Sequence, residues 1–343
     1  MRRSDHDVSD LVRTTDAAEV AAEVLRLHSG LYDGTSASSI EHAFTDLGQL
    51  YRGEHPDYLP CDTAYHDIQH VLDVTLAMAR LMDGYERSRN GSPPLDAASF
   101  ALGVVTALFH DFGYLRRRAD RRHRFGAEYT ITHVSRGARH LHHYLPRIGM
   151  RRYASVGATL VHYTGYERPA EIIEVNDTLL RRIGHMLGTA DIIAQMADRC
   201  YLEKCRDRLY PEFVLGGLAR RQLSGGATQI VFRSGDDLVR QTPGFYINAA
   251  KRLDLQLARA YGYAERHFNG QNLYLEEMQK NVRYAQTVAG ATSTDMLRRT
   301  PPSTLAEGVE PYPRDLAIRE RLSSNSASRG STPAGRSNAR SRP

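Results

Sequence analysis

The twelve residues Ala98-Ser-Phe-Ala-Leu-Gly-Val-Val-Thr-Ala-Leu-Phe109 constrain this chain more than any other stretch, because they run straight into His110-Asp111. A run this apolar reads as a helix buried on all sides. An imidazole and a carboxylate at its end therefore enter the interior, where they need hydrogen bonds, a counter-charge or a metal. His6-Asp7 and His66-Asp67 are the same dipeptide, but neither follows a buried helix. Gly113, just beyond, reads as the point where the chain turns away.

Periodicity elsewhere is helical. Helices are expected near residues 16–29, 38–53, 65–85, 95–111, 126–145, 150–163, 170–183 and 187–210, with Pro211 as a stop. Further helices are expected at 236–240, 244–262 and 272–289. Thr228-Gln-Ile-Val-Phe-Arg233, after Gly225-Gly226, is the one convincing strand. The expected architecture is an all-α bundle forming a single domain over 16–290, with disordered ends at 1–15 and 291–343.

The formal charge of +5 suggests a nucleic-acid partner until it is located. Residues 298–343 hold nine Arg against four acids, which accounts for all of it. That tail is rich in Ser, Pro, Gly and Arg, so any contact with nucleic acid is expected of the tail alone. Cys61, Cys200 and Cys205 lack metal-ligand spacing and read as reduced, buried thiols. The N-terminus lacks a signal-peptide core, and no run reaches the ~20 apolar residues of a membrane span. The expectation is a cytoplasmic protein without a membrane partner.

Around the dipeptide stand other residues able to bind a metal. In Tyr65-His-Asp-Ile-Gln-His-Val-Leu-Asp-Val74, His66 and His70 are four apart and share a helix face. Asp73 is close enough to support a His70 ring nitrogen. Asp191 is the lone carboxylate of Gly188-Thr-Ala-Asp-Ile-Ile-Ala-Gln-Met-Ala197, and Gln195 follows one turn later. His133 and His162 lie between, each on its own expected helix. Imidazoles and carboxylates converging from several helices are how bundles build metal centres. Such mixed donors suit manganese, iron, zinc, cobalt or nickel.

These motifs resemble the HD-domain superfamily of metal-dependent phosphohydrolases over roughly residues 60–200. The 65–74 stretch is similar to the Tyr-His-Asn-x-x-His-x-x-Asp-Val signature of class I cyclic nucleotide phosphodiesterases. The resemblance implies an HD-domain/PDEase-like helical bundle with a metal centre in its core. It implies His70, His110, Asp111 and Asp191 as metal ligands and His66 as the acid that protonates the leaving oxygen. His133, followed by Gly137 and Leu141, is similar to the second-metal helix of HD-GYP proteins, and His162 falls at their next ligand. One or two divalent transition metals are implied, with magnesium an option at the second position. The implied reaction is phosphodiester hydrolysis by a metal-bound hydroxide, on a small phosphorylated substrate such as a cyclic nucleotide.

Three departures narrow this. Asp67 replaces the usual Asn. The Gly-Tyr-Pro element of HD-GYP proteins is missing, which disfavours cyclic dinucleotides. Arg240-Gln-Thr-Pro-Gly-Phe245 is one residue longer than the purine-holding Gln-x-Gly-Phe of mammalian phosphodiesterases, leaving Gln241 and Phe245 as candidate substrate contacts. Other readings stay open: a nucleotide phosphomonoesterase, an HD-fold di-iron oxygenase with the same ligand order, or a regulatory scaffold with a structural metal. Arg116–Arg124 reads as a phosphate-attracting rim or a solvated loop, Glu128 as a supporting or solvated charge, and His140, His142 and His143 as mainly surface.

Overall fold

The computed structural model describes residues 2–89, 91–222, 226–313 and 316. Among them the chain is a mostly helical bundle. Its elements are α1 (Ala17–Leu31), α2 (Ser38–Arg52), α3 (Ile68–Arg87), α4 (Ala97–Leu108), α5 (His133–Tyr144), α6 (Ala154–Leu160), α7 (Thr178–Ala197), α8 (Tyr201–Lys204) and α9 (Tyr210–Leu215). After these come β1 (Arg220–Gln222), β2 (Thr228–Ile230), α10 (Gly235–Leu255), α11 (Gly262–His267) and α12 (Leu273–Gly290). No described helix is long and apolar enough to cross a membrane.

The centre is built from α3, α4 and α7. Helix α3 packs against α7, α11, α4 and α1, so polar residues on more than one side of it are buried. Every residue of α4 from Ser99 to Leu108 is buried, as its composition predicts. Its one buried hydroxyl near the site, on Thr106, donates back to the Leu102 and Gly103 carbonyls. Each of the three helices starts on an aspartate: Asp67 caps α3, Asp96 caps α4 and Asp177 caps α7. Such caps supply acceptors to the otherwise unpaired first-turn N–H groups and fix where each helix begins. The substituted Asp67 thus has a structural duty, accepting from the His70 backbone N–H at 3.0 Å.

Several expectations need correction. The helices expected at 170–183 and 187–210 are divided elsewhere: α7 runs unbroken from Thr178 to Ala197. Gly184 and Gly188, which weaken the helical pattern, are where α7 presses on Tyr163. A Cβ on Gly188 would lie 2.4 Å from the Tyr163 carbonyl oxygen. Pro211 opens a helix rather than ending one. It stands in the first turn of α9, which continues the π-helical turn Cys205–Leu209, and the Asp207 carbonyl four residues back accepts from Tyr312 Oη instead of a proline N–H. Helix α10 is likewise continuous, with Pro243 inside it. The strand at 228 pairs antiparallel with β1, an exposed pair that contributes no core.

The two ends are not frayed where they are described. Buried Asp7 ion-pairs with Arg80 of α3 at 2.7 Å, and Arg2 donates to the Ala197 carbonyl, so the first residues are fastened across α3 and α7. Beyond α12, Leu297 is buried, Arg208 donates to the carbonyls of Pro301 and Pro302, and Thr304 donates to Asp67. Polar anchors order these segments, and apolar periodicity cannot reveal them. Beyond Pro313, only Leu316 is among the described residues.

Candidate metal centre

His70, in the first turn of α3, meets the end of α4 and the middle of α7. Its Nε2 is 3.3 Å from Nε2 of His110, 3.3 Å from Oδ2 of Asp111 and 3.5 Å from Oδ1 of Asp191. His110 Nε2 is 3.2 Å from Asp111 Oδ2 and 3.9 Å from Asp191 Oδ1. All four residues are buried. One donor atom from each of His70, His110 and Asp191 lies within 4.8 Å of the others, so these three form a buried cluster able to hold a metal ion.

The cluster lacks a cation of its own. Among the described residues no Lys or Arg ion-pairs with Asp111 or Asp191. Asp111 Oδ2 is buried with only the His70 and His110 imidazole nitrogens near it and no well-aligned hydrogen bond. Two carboxylates in the interior with only imidazoles for company are costly. His110 Nδ1 is engaged by the Ala107 carbonyl at 2.8 Å, which leaves Nε2 to point its lone pair into the cluster. Burial disfavours charge on either partner, but their mutual attraction prevails. It holds Asp111 well below the usual carboxylate range and raises His110 to about 9. Without metal, then, His110 carries the missing positive charge as a proton, which a divalent ion would displace on binding. The donor set and the orphaned oxygen fit such an ion.

Asp111 faces two ways. Its other oxygen, Oδ1, is 3.6 Å from His133 Nε2. His133 starts α5, and its Nδ1 is held by the Thr130 carbonyl at 2.6 Å, the same arrangement as in His110. The approach depends on Gly113, whose Cβ position would lie 1.9 Å from the His133 carbonyl oxygen. Close contact, not a turn, is therefore what requires glycine there, since its φ is not positive. His162 is buried with Nδ1 bonded to Glu167 Oε1 at 2.8 Å, and it has no hydrogen bond or ion pair to the four clustered residues. Glu167 feels the charge of both His162 and His133, and of the two imidazoles it is His133 that lies beside Asp111 Oδ1.

His66 stands beside the cluster. Its ring centroid is 5.8 Å from that of His70 and 6.3 Å from that of His133. It stacks on Tyr114 at 4.3 Å, and Tyr114 stacks on His133 at 4.5 Å. Its Nδ1 bonds Glu212 Oε2 at 2.5 Å. Glu212 is wholly buried and also accepts from the Tyr65 backbone N–H. Burial alone would suppress charge on His66, but Glu212, then Asp111 and Asp191, outweigh it and raise its pKa. Sequence reasoning missed Glu212, which lies 146 residues from His66 in a helix opened by a proline. Gln195 proves to be a buttress: it donates to Asp191 Oδ1 at 3.3 Å while accepting from Tyr65 Oη at 3.1 Å.

Asp73 is not the partner of His70. It sits with Arg2, Gln69 and Asp198 behind α3, where burial and the Asp198 charge raise its pKa to about 8. Gln241 gives its amide to the Val231 carbonyl, and Phe245 lies against Phe232. Both face the segment that follows β2, and neither makes a hydrogen bond or ring contact with the cluster. Glu128 accepts from the backbone N–H groups of Arg124 and Phe125 and so shapes its own loop. Arg116 pairs with Asp62, Arg117 lies over Tyr58 and Arg118 donates to the Gly53 carbonyl. That basic run is thus fastened to the 53–62 segment.

Comparison with known proteins adds little. No family model matches the chain, and no curated protein is significantly similar in sequence. Among solved structures, the chain is similar to the phosphodiesterase domain of a RhoPDE fusion protein from the choanoflagellate Salpingoeca rosetta. Identity is 12%, the TM-score is 0.46, and the match spans 84% of this chain and 95% of that one.

Proposed function

We propose that this chain is a metal-dependent phosphohydrolase of the HD-domain type, acting on a phosphodiester such as a cyclic nucleotide. The observation that carries this reading is the His66–Glu212 pair beside a cluster that calls for a cation. In the proposed centre His70, His110, Asp111 and Asp191 hold one divalent ion: manganese, iron, zinc, cobalt or nickel. Asp111 Oδ1, His133 and His162 are the donors for a second, for which magnesium is also suited. An ion bound there supplies Lewis acidity and lowers the pKa of water towards ~7.

The protein's own residues do the rest. Glu212 fixes the His66 ring through Nδ1, so Nε2 is the atom free to meet substrate. The raised pKa favours the protonated His66 ring, whose proton is to be given to the departing oxygen. Tyr114 stacking holds the ring plane, and Gln195 keeps Asp191 from rotating. A proton donor held apart from the ligands favours hydrolysis over oxygenation or a purely structural metal.

The test is turnover of a chromogenic phosphodiester and a panel of cyclic nucleotides by the manganese-loaded chain, with and without dioxygen. His66→Ala is expected to keep its metal while kcat falls about 100-fold or more. Loss of metal in that variant would contradict the assigned role. Turnover that requires dioxygen would favour the di-iron oxygenase.

A further inference from the structure

A cavity of about 560 Å³, lined by none of the four clustered residues, opens beside Phe112. Phe112, next to Asp111, forms part of its wall, and Arg136 lines it while donating to the carbonyls of Gly113 and Leu115. Its lining is strongly basic. Arg117, Arg139 and Arg147 join Arg136, against the carboxylates of Asp46 and Asp57. Asp46 is already engaged, accepting from Tyr144 Oη at 2.7 Å.

Among the described residues Arg117, Arg139 and Arg147 are in no ion pair. Concentrating unpaired guanidinium groups around one concavity raises its potential and costs stability through repulsion. A second observation points the same way. His140 lines this cavity, packed face to face on Phe112 at 3.4 Å, and its Nε2 is buried without a hydrogen-bond partner. Burial, with the nearby charges of Arg147, His55, Arg117 and His143, pushes its pKa down to about 3. A neutral imidazole therefore stands in a ring of cations with a polar atom to spare.

We propose that this cavity is a second binding site, distinct from the metal centre, for a small phosphorylated anion. Guanidinium groups match phosphate oxygens in bidentate pairs, and several together select a multiply charged phosphate over a monoanion. The 560 Å³ volume is within the range of small-molecule sites and holds a phosphate ester rather than a macromolecule. Because the wall includes the turn that carries Asp111, an occupant would stiffen that turn.

The experiment is calorimetric titration of the full chain with inorganic pyrophosphate, in buffer free of divalent metal, across two salt concentrations. The unsubstituted chain is expected to bind, more weakly at high salt. Arg139→Gln with Arg147→Gln, both at exposed positions, is expected to weaken the Kd about tenfold or more. His110→Ala, which disables the metal centre alone, is expected to leave that Kd unchanged. Absence of binding to the unsubstituted chain, equal binding by the double variant, or loss of binding in His110→Ala would each overturn the proposal.

Discussion

Helix α3 has polar residues buried on two sides, and the two sides are unlike. On one, Arg80 meets Asp7 at 2.7 Å and the Tyr274 hydroxyl at 3.3 Å, while Lys204 bridges Asp198 at 2.6 Å and Gln69 at 2.9 Å. Fixed cations accompany those carboxylates. On the other, His70 joins His110, Asp111 and Asp191, with no fixed cation and one acceptor left over. Helix, depth and donors are comparable, so the difference lies in charge closure. A closed network is built for stability, whereas an open one is built to receive something.

Breaking the closed side should have the largest effect on folding. Arg80→Met leaves Asp7 buried and unpaired, and is expected to cost about 3–5 kcal/mol in denaturant unfolding with metal content unchanged. Breaking the open side should do the reverse. Asp111→Asn removes a carboxylate balanced only by the His110 proton and by no fixed cation, so metal-free stability should fall by less than in Arg80→Met. Hydrolysis, by contrast, should fall about 100-fold or more, since even supporting residues of metal sites cost 10–100-fold. Equal loss of stability in both variants would erase the distinction.

A smaller effect concerns acid. Burial opposes ionisation of Asp7, but the Arg80 guanidinium and the donors of Ser9 and Val12 bring its pKa down to about 2. An unfolded aspartate titrates near ~3.9. The folded value is the lower one, so this contribution is complete above about pH 4 and is lost as pH falls towards 2. It is worth about 2 kcal/mol. Asp7→Asn should therefore flatten the fall in stability over that window. An unchanged acid profile would mean Arg80 and Asp7 are not closed as a pair.

The open side was far more legible in the sequence than the closed one. His66, His70, His110, Asp111 and Asp191 each announce themselves locally, as polar residues in apolar helical surroundings or at helical spacing. His133 was legible for the same reason. Glu212, Asp7 and Lys204 were not, because each acts on a partner distant in the chain and sits in an ordinary charged context. Asp73 shows the limit of spacing arguments. Three residues from His70, it is near enough in register yet directed to the other side of α3. Helix identities were likewise readable from periodicity, whereas boundaries at Gly184, Gly188, Pro211 and Pro243 depended on what packs against them.

The central claim is that the open cluster exists to hold a divalent ion. Calorimetric titration of the chelator-stripped full chain with manganese, against His110→Ala, tests it directly. The account predicts at least one ion bound per chain, with proton release, and its loss in the variant. Equal uptake by both proteins, or none by the unsubstituted chain, would contradict it.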